Sequence, residues 1–146
     1  MKKLLIGMKS FQILTTLLLF IILTLTSCVR TPGEGGRASI TGSVDLIRRV
    51  QLNNPLSVVD TIAASNAEVF IIYGDHISPD DKVDTNPDGG FAFEWLRTGV
   101  YTLYVYSEDT ATTSTPLPKV AFYHEVEILD KDDVIDIEPF IIYDEY

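Results

Sequence analysis

The sequence is poor in the residues that carry most enzymatic chemistry. It contains one cysteine, Cys28, one tryptophan, and two histidines, His76 and His124, among 146 residues. No serine or cysteine lies in the sharp strand-to-helix turn of a nucleophile elbow, and no glycine-rich loop leads from a strand into a helix to bind phosphate. A single cysteine also has no partner for a disulfide within the chain. We therefore expect a protein that is not an enzyme and whose fold depends on an apolar core.

Positive charge is also scarce. Lysine and arginine number 11 against 21 aspartates and glutamates, so the formal net charge at pH 7 is −10. A surface of this sign repels the phosphates of nucleic acids and anionic lipid headgroups. The composition argues against nucleic acid as a partner and fits a self-repelling exported domain, or one that meets cations.

The first 27 residues have the organisation of a secretory signal. Three lysines within the first nine residues precede a largely apolar run over residues 11–25, and Ser27 places a small residue before Cys28. This order of positive charge, apolar segment and small residue is typical of a signal peptide that is cleaved. A retained N-terminal anchor helix is the alternative, although the run is shorter than the roughly 20 apolar residues that span a bilayer.

The end of this segment reads Leu25-Thr26-Ser27-Cys28. These four residues resemble the lipobox of bacterial lipoproteins. The resemblance implies cleavage between Ser27 and Cys28 and attachment of acyl chains such as palmitate to Cys28, which would anchor the protein in a membrane. Val29 is not the aspartate that keeps many Gram-negative lipoproteins at the inner membrane, so the resemblance implies the outer membrane and leaves its face open. A free thiol at Cys28 is the alternative.

The chain after the predicted cleavage site divides into a tether and a domain. Residues 28–37 contain three glycines and one proline among charged residues, without apolar periodicity, which predicts a flexible tether. Residues 38–146 form the predicted domain, because about 110 residues are enough for one core and too few for two. Removal of residues 1–27 would take three lysines and no acid, leaving eight cations against 21 anions and a net charge of −13.

Short segments of alternating apolar and polar residues recur through this domain. The alternation is clear in 67–73, 91–95, 101–106 and 120–128, and segments rich in Gly, Pro, Asn and Asp separate them. Repetition of period two over short segments predicts an all-β fold, which we expect to be a single antiparallel Greek-key β-sandwich of about seven strands. A last apolar run, Phe140–Tyr143, is expected to form the C-terminal strand.

Three motifs follow one another in this domain: Gly42-x-Val44, then Asp88-Gly89-x-Phe91-x-Phe93, then Gly99-x-Tyr101-x-Leu103-x-Val105. With the strand beginning at Ala67, they make residues 38 to about 108 resemble the prealbumin-like modules, which include the carboxypeptidase regulatory-like and collagen-adhesin B-type domains. The resemblance implies an Ig-like, prealbumin-like sandwich. It says little about function, because this fold serves as spacer, adhesin and binding module alike. Gly89 and Gly90 can both adopt the positive φ that a tight hairpin needs, and Tyr101 is expected to bury its ring with its hydroxyl bonded to backbone.

Asp84, Asn86 and Asp88 are spaced like the first half of a calcium-binding loop and are followed by Gly89. The bidentate glutamate that would complete such a loop is missing, because Trp95 occupies its position. A hairpin turn explains the same residues without a metal. We therefore expect no cofactor, with calcium at Asp84, Asn86 and Asp88 as the alternative.

Trp95, Tyr104 and Tyr106 are candidates for a ligand-binding platform. Tyr104 and Tyr106 share the outward parity of one predicted strand, Tyr123 has the outward parity of the next, and Trp95 is close in sequence. Aromatic side chains on an exposed sheet face can stack on a sugar or anchor a protein partner. The alternative is that they form cross-strand pairs whose role is to stabilise the sheet.

These observations favour a non-enzymatic, lipid-anchored module of the bacterial cell envelope with a binding or structural role. One alternative is an accessory or anchor subunit of a fimbria-like surface assembly that pairs through the strand at Phe140–Tyr143. Another is a carbohydrate- or calcium-binding module. The expected partners are the membrane, through lipid on Cys28, and a protein or a carbohydrate.

Overall fold

A computed structural model of the chain describes residues 31–112 and 116–145. Within these two ranges there is no α-helix, and nine β-strands are present: β1 (Glu34–Arg49), β2 (Val58–Ala63), β3 (Glu68–Tyr73), β4 (Asp81–Asp84), β5 (Gly90–Leu96), β6 (Gly99–Glu108), β7 (Lys119–Ile128), β8 (Val134–Asp136) and β9 (Phe140–Glu145). Accordingly, no helix in this part of the chain has the length and apolarity needed to cross a membrane. The predicted signal peptide, its cleavage site and Cys28 lie outside the described residues.

The strands form two sheets in a sandwich-like arrangement, which confirms the all-β prediction. One sheet has four strands in the order β4-β3-β6-β7, all antiparallel to their neighbours. The other has five strands built around β1. One edge of β1 carries β5 and then β2, both antiparallel, and the opposite edge carries β8 and then β9. Because β1 is 16 residues long, each of its edges accommodates two shorter strands end to end.

The C-terminal strands run parallel to β1. Val44 to Arg49 lie opposite Phe140 to Glu145 in a regular parallel register, and β8 is parallel to β1 at Ser39–Thr41. The prediction of a purely antiparallel sandwich is therefore wrong at this edge. Pro139 lies in the interval between β8 and β9, where the missing N–H of proline cannot contribute to a ladder of hydrogen bonds.

The core lies between the two sheets and is made by the side chains of one parity from each strand. Its largest fully buried members are Tyr101, Phe140, Ile40, Ile71, Leu96, Leu103, Ile128, Val44, Val69 and Val105. The alternation predicted for β3, β5 and β6 is the one observed, as expected for strands whose successive side chains point to opposite faces. Contacts group Thr31–Tyr146 as one compact unit, and every core residue lies within it.

Strand β1 begins at Glu34, inside the segment predicted as a flexible tether. The glycines of that segment serve close packing. A Cβ built on Gly36 would stand 1.7 Å from the carbonyl oxygen of Leu96, and Gly35 has a φ of +97°. The Gly33 N–H also donates to the hydroxyl of Tyr101 at 2.9 Å. The chain is thus attached to the domain from Gly33 onward, and glycine content alone did not distinguish close packing from flexibility.

Candidate functional site

The outer face of the four-stranded sheet carries a cluster of aromatic side chains, which we call the tyrosine face: Phe70, Tyr104, Tyr106 and Tyr123. The strand registers bring these residues together, because Phe70 of β3 lies opposite Tyr104 of β6 and Tyr104 lies opposite Tyr123 of β7. Tyr106 follows Tyr104 by two residues and therefore points to the same side of the sheet. The neighbouring residues Leu103 and Val105 point the other way, into the core.

The four rings form a continuous packed layer. Phe70 stacks on Tyr104 with ring centroids 5.0 Å apart and planes 13° from parallel. Tyr106 meets both rings edge-on, at 5.7 Å from Phe70 and 5.5 Å from Tyr104, and Tyr123 lies 5.4 Å from Tyr104. Tyr104 is therefore only 6% exposed, whereas Tyr106 and Tyr123 remain 47% and 61% exposed. The layer buries its centre and offers two tyrosine rings to solvent.

Carboxylates flank the tyrosine face. Glu68 precedes Phe70 by two residues and lies opposite Asp84 of β4, and Glu125 follows Tyr123 by two residues on β7. All three are exposed. Lys82, opposite Phe70, forms an ion pair with Glu68, and this hydrogen bond and the Glu68 charge raise the pKa of Lys82. The face thus combines apolar ring surfaces with hydroxyl groups and carboxylate acceptors.

The Tyr104 hydroxyl is held in its protonated form. Burial raises its pKa, and the neighbouring Tyr106 adds to the effect both through its charge and through a hydrogen bond between the two side chains. A phenol keeps its proton at neutral pH even at its ordinary pKa of about 10. The shift therefore leaves a hydroxyl that can both donate and accept hydrogen bonds at the centre of the layer.

The structure does not bring Trp95 to the tyrosine face. Trp95 belongs to β5, in the other sheet, and is 65% exposed. It lies where the register between β1 and β5 shifts, between the Ala38–Leu96 and Ile40–Phe93 pairs, and has a φ of +62°. Such a bulge places an extra residue in one strand. Proximity in sequence therefore misplaced Trp95, because the chain passes between sheets after β5.

Phe70 is the member of the face that the sequence did not single out. Its parity on β3, opposite to that of Val69 and Ile71, already indicated an outward position. Its contact with Tyr104, which is 34 residues later in the sequence, depends on the register between β3 and β6. Alternation reports which face a side chain is on, but not which residue of a distant strand lies beside it.

The three candidate calcium ligands lie at the turn between β4 and β5. The Asn86 side-chain oxygen accepts hydrogen bonds from the N–H groups of Asp88 and Gly90, each at 2.9 Å. The Gly89 N–H donates to the Asn86 carbonyl at 2.9 Å, which closes the turn. Asn86 is thus committed to the turn. Within residues 31–112 and 116–145, no group of three or more His, Cys, Asp or Glu side chains is arranged to hold a metal ion. Calcium binding at Asp84, Asn86 and Asp88 stays a prediction.

Comparison with known proteins finds similarity only among solved structures. No family model and no curated protein sequence matches the chain. Among solved structures, the chain is similar to a crystal structure of a Pseudomonas aeruginosa protein for which carbohydrate binding has been proposed. The TM-score is 0.44 at 10% sequence identity, over 77% of this chain and 91% of the other. A similarity at this level does not establish a shared function.

Proposed function

We propose that the protein is a non-enzymatic binding module, held at the cell envelope by lipid on Cys28, and that its tyrosine face binds neutral carbohydrate. The observation that carries the proposal is the pair of exposed rings, Tyr106 and Tyr123, supported from below by the packed rings of Phe70 and Tyr104. A rigid aromatic surface with polar groups at its edge is typical of sites that bind ligands with one apolar side and several hydroxyls.

The chemistry of the face suits a sugar. The apolar C–H side of a pyranose ring can lie on a tyrosine ring, while its hydroxyl groups donate to the carboxylates of Glu68, Asp84 and Glu125 and bond to the tyrosine hydroxyls. An anionic ligand would meet these carboxylates and a chain of net charge −10, so like-charge repulsion disfavours it. A neutral oligosaccharide meets no such repulsion.

Stabilisation of the sheet accounts for part of the tyrosine face but leaves the exposed rings unexplained. Tyr104 is buried by three neighbouring rings and has the environment of a cross-strand packing residue. Tyr123, on the edge strand β7, contacts Tyr104 but leaves most of its surface in water. We infer that Tyr104 and Phe70 position the face, and that Tyr106 and Tyr123 contact the ligand.

Substitution of the exposed rings tests the carbohydrate proposal. A soluble form beginning at Thr31, which contains every core residue among those that the structure describes, would be screened on an array of neutral oligosaccharides and the hits measured by isothermal titration calorimetry. Tyr123→Ala and Tyr106→Ala should each weaken binding by about three- to tenfold, the effect of losing one aromatic contact. The double variant should bind no sugar measurably.

Trp95→Ala is the matched control, because Trp95 is equally exposed but lies in the other sheet. It should leave the sugar affinity unchanged. Loss of binding in Trp95→Ala with normal binding in the tyrosine variants would move the site to the other sheet. If the wild-type protein binds no neutral sugar on the array but binds a protein partner through Tyr123, the ligand of the tyrosine face is a protein and not a carbohydrate.

The envelope location rests on the lipobox-like residues at positions 25–28. Replacement of Cys28 by serine removes the thiol that would carry the acyl chains, so Cys28→Ser should move the protein from the membrane to the soluble fraction. Val29→Ala is the control and should stay with the outer membrane, and Val29→Asp should shift the protein towards the inner membrane. Membrane association that persists in Cys28→Ser would contradict the lipid anchor.

The fimbria-like alternative receives no support from the C-terminal strand. Residues Phe140–Glu145 pair with β1 along their whole length, and the Tyr143 N–H donates to the Ser107 hydroxyl at 2.8 Å. Donation of this strand to a second chain would cost the domain its ladder with β1. Membership of the prealbumin-like, Greek-key class is part of our proposal, since the two-sheet architecture is compatible with it.

A further inference from the structure

Strand β7 is a long edge strand with one unused side. It pairs with β6 over its ten residues, Lys119–Ile128, in a register without any shift. Among the described residues, no strand pairs with its other side. An edge strand presents a row of backbone N–H and C=O groups that can pair with another chain.

The hydrogen-bond pattern identifies the groups on the free side. The Asp109 N–H donates to the Pro118 carbonyl at 2.9 Å, in the same register as the β6–β7 pairs. In an antiparallel ladder the residues that face the neighbour alternate with those that face away, so the even-numbered residues of β7 face β6. The free side therefore presents the backbone groups of the odd-numbered residues: Lys119, Ala121, Tyr123, Glu125 and Glu127.

The opposite edge of the same sheet is shorter and more densely charged than β7. Strand β4 has only four residues and three of them, Asp81, Lys82 and Asp84, are charged. Short length and charge are the usual means by which proteins block edge-to-edge pairing. Strand β7 is ten residues long, contains no proline or bulge, and directs no carboxylate or lysine towards the core side.

We propose that β7 pairs antiparallel with β7 of a second copy of this chain, about a two-fold axis through Tyr123. In this register Lys119 lies opposite Glu127 of the second copy, Ala121 lies opposite its Glu125, and the two Tyr123 residues lie opposite each other. All five odd-numbered residues then face odd-numbered residues. Each such pair exchanges two backbone hydrogen bonds, so that about ten form across the axis.

The side chains of β7 are self-complementary in this register. Both glutamates avoid a like charge, since Glu127 meets a lysine and Glu125 meets an alanine, and opposite charges across a strand pair stabilise it. The two Tyr123 rings form an aromatic cross-strand pair. Phe122 has the parity of the core yet is 41% exposed, and it would lie opposite His124 of the second copy. A second copy therefore fits this edge better than a strand of arbitrary sequence.

The sheet would continue from four strands to eight across the axis, with the same side outward in both halves. The two tyrosine faces would then form one aromatic surface, because Tyr123 lies at the end of the row Phe70–Tyr104–Tyr123. The two faces would join in this way whatever ligand the tyrosine face binds.

Cysteine crosslinking of the full-length chain in membranes tests the pairing. A residue on the two-fold axis lies next to its own copy, at a Cα separation of about 5.5 Å that a disulfide can span. Oxidation of Tyr123→Cys should therefore convert most of the protein to a disulfide-linked dimer. Ala121→Cys and Glu125→Cys alone should give none, but co-expressed they should crosslink to each other.

The wild-type chain is the control for any reaction of Cys28 and should stay monomeric on denaturing gels after oxidation. Charge reversal gives a second readout: Lys119→Glu and Glu127→Lys, each added to Tyr123→Cys, should lower the dimer yield at least fivefold, and the two together should restore it. Absence of a Tyr123→Cys dimer, or equal crosslinking of all single variants, overturns the proposal. A wild-type chain that binds no neutral sugar, together with normal crosslinking of the Tyr123→Cys variant, would overturn the carbohydrate proposal alone.

Discussion

Replacement of Gly89 by alanine is expected to lower the free energy of unfolding by about 3 kcal/mol, of which the left-handed backbone accounts for roughly 1–2 kcal/mol. Gly89 has a φ of +77°, and a Cβ added to it would stand 2.7 Å from the carbonyl oxygen of Val44 and 3.2 Å from the Cβ of Ala63. The first of these atoms belongs to the backbone of β1 and cannot move without shifting the strand.

The position of Gly89 explains why the effect should spread beyond the turn. Its carbonyl accepts a hydrogen bond from the Val44 N–H at 2.9 Å, and the Val44 carbonyl accepts one from the Ala64 N–H at 2.9 Å. Gly89 thus lies where β5 gives way to β2 along the same edge of β1. A displacement there weakens the junction of three strands.

Urea denaturation of Gly89→Ala and Gly90→Ala would measure this difference. Gly90 is the matched control: its φ is not positive, and the nearest atom to an added Cβ is the side-chain nitrogen of Asn86 at 3.2 Å, so a shift of a few tenths of an ångström in one side chain is enough to relieve the contact. We expect Gly90→Ala to cost less than about 1 kcal/mol. Equal losses in the two variants would mean that the clash with Val44 is relieved by local movement and that the turn is not the point of strain.

Removal of the Tyr101 hydroxyl is the second large effect that we expect. The Tyr101 ring is fully buried. Its hydroxyl donates to the Arg97 carbonyl at 2.7 Å and accepts from the Gly33 N–H at 2.9 Å. Tyr101→Phe preserves the ring but leaves two backbone groups without their partner, which should cost about 2 kcal/mol because an unsatisfied buried group loses roughly 1–3 kcal/mol. The loss should appear as a lower urea midpoint with an unchanged slope.

Tyr123→Phe provides the comparison, because the Tyr123 side chain is mostly in water and the loss of its hydroxyl should change stability by less than about 0.5 kcal/mol. Hydrogen exchange gives an independent readout in Tyr101→Phe: the Gly33 amide should lose protection more than amides of β6. If Gly33 stays protected, the start of β1 is held by its packing against Leu96 and not by the hydroxyl.

Much of the fold follows from alternation in the sequence. The parity of Val69 and Ile71 in β3, and of Leu103 and Val105 in β6, identified the core side chains, and the opposite parity identified Tyr104, Tyr106 and Tyr123 as outward. Period two is a local property of a strand, so it can be read without knowing any partner strand. The turn residues likewise predicted a positive φ at Gly89 and Gly90, and of these two only Gly89 has one.

The relations between distant strands were not predictable in this way. Parallel pairing of β9 with β1 joins residues about 96 positions apart, and no local pattern specifies its direction. The separation of Trp95 from the tyrosines arises because β5 and β6 are consecutive in the chain but belong to different sheets. The glycines at 33, 35 and 36 have the composition of a linker, and only their contacts with Leu96, Arg97 and Tyr101 show that β1 begins there.

The sequence by itself determined the fold class, the side of each strand that faces the core, and the lipobox-like segment at Cys28 that predicts an envelope anchor. These are properties of neighbouring residues. Tertiary structure alone decided which outward aromatic side chains meet, and that Tyr106 and Tyr123 remain exposed over a packed layer while Trp95 lies in the other sheet. The reason is that strand order and register depend on hydrogen bonds and burial between segments far apart in the chain, and a strand's own residues encode only its two faces.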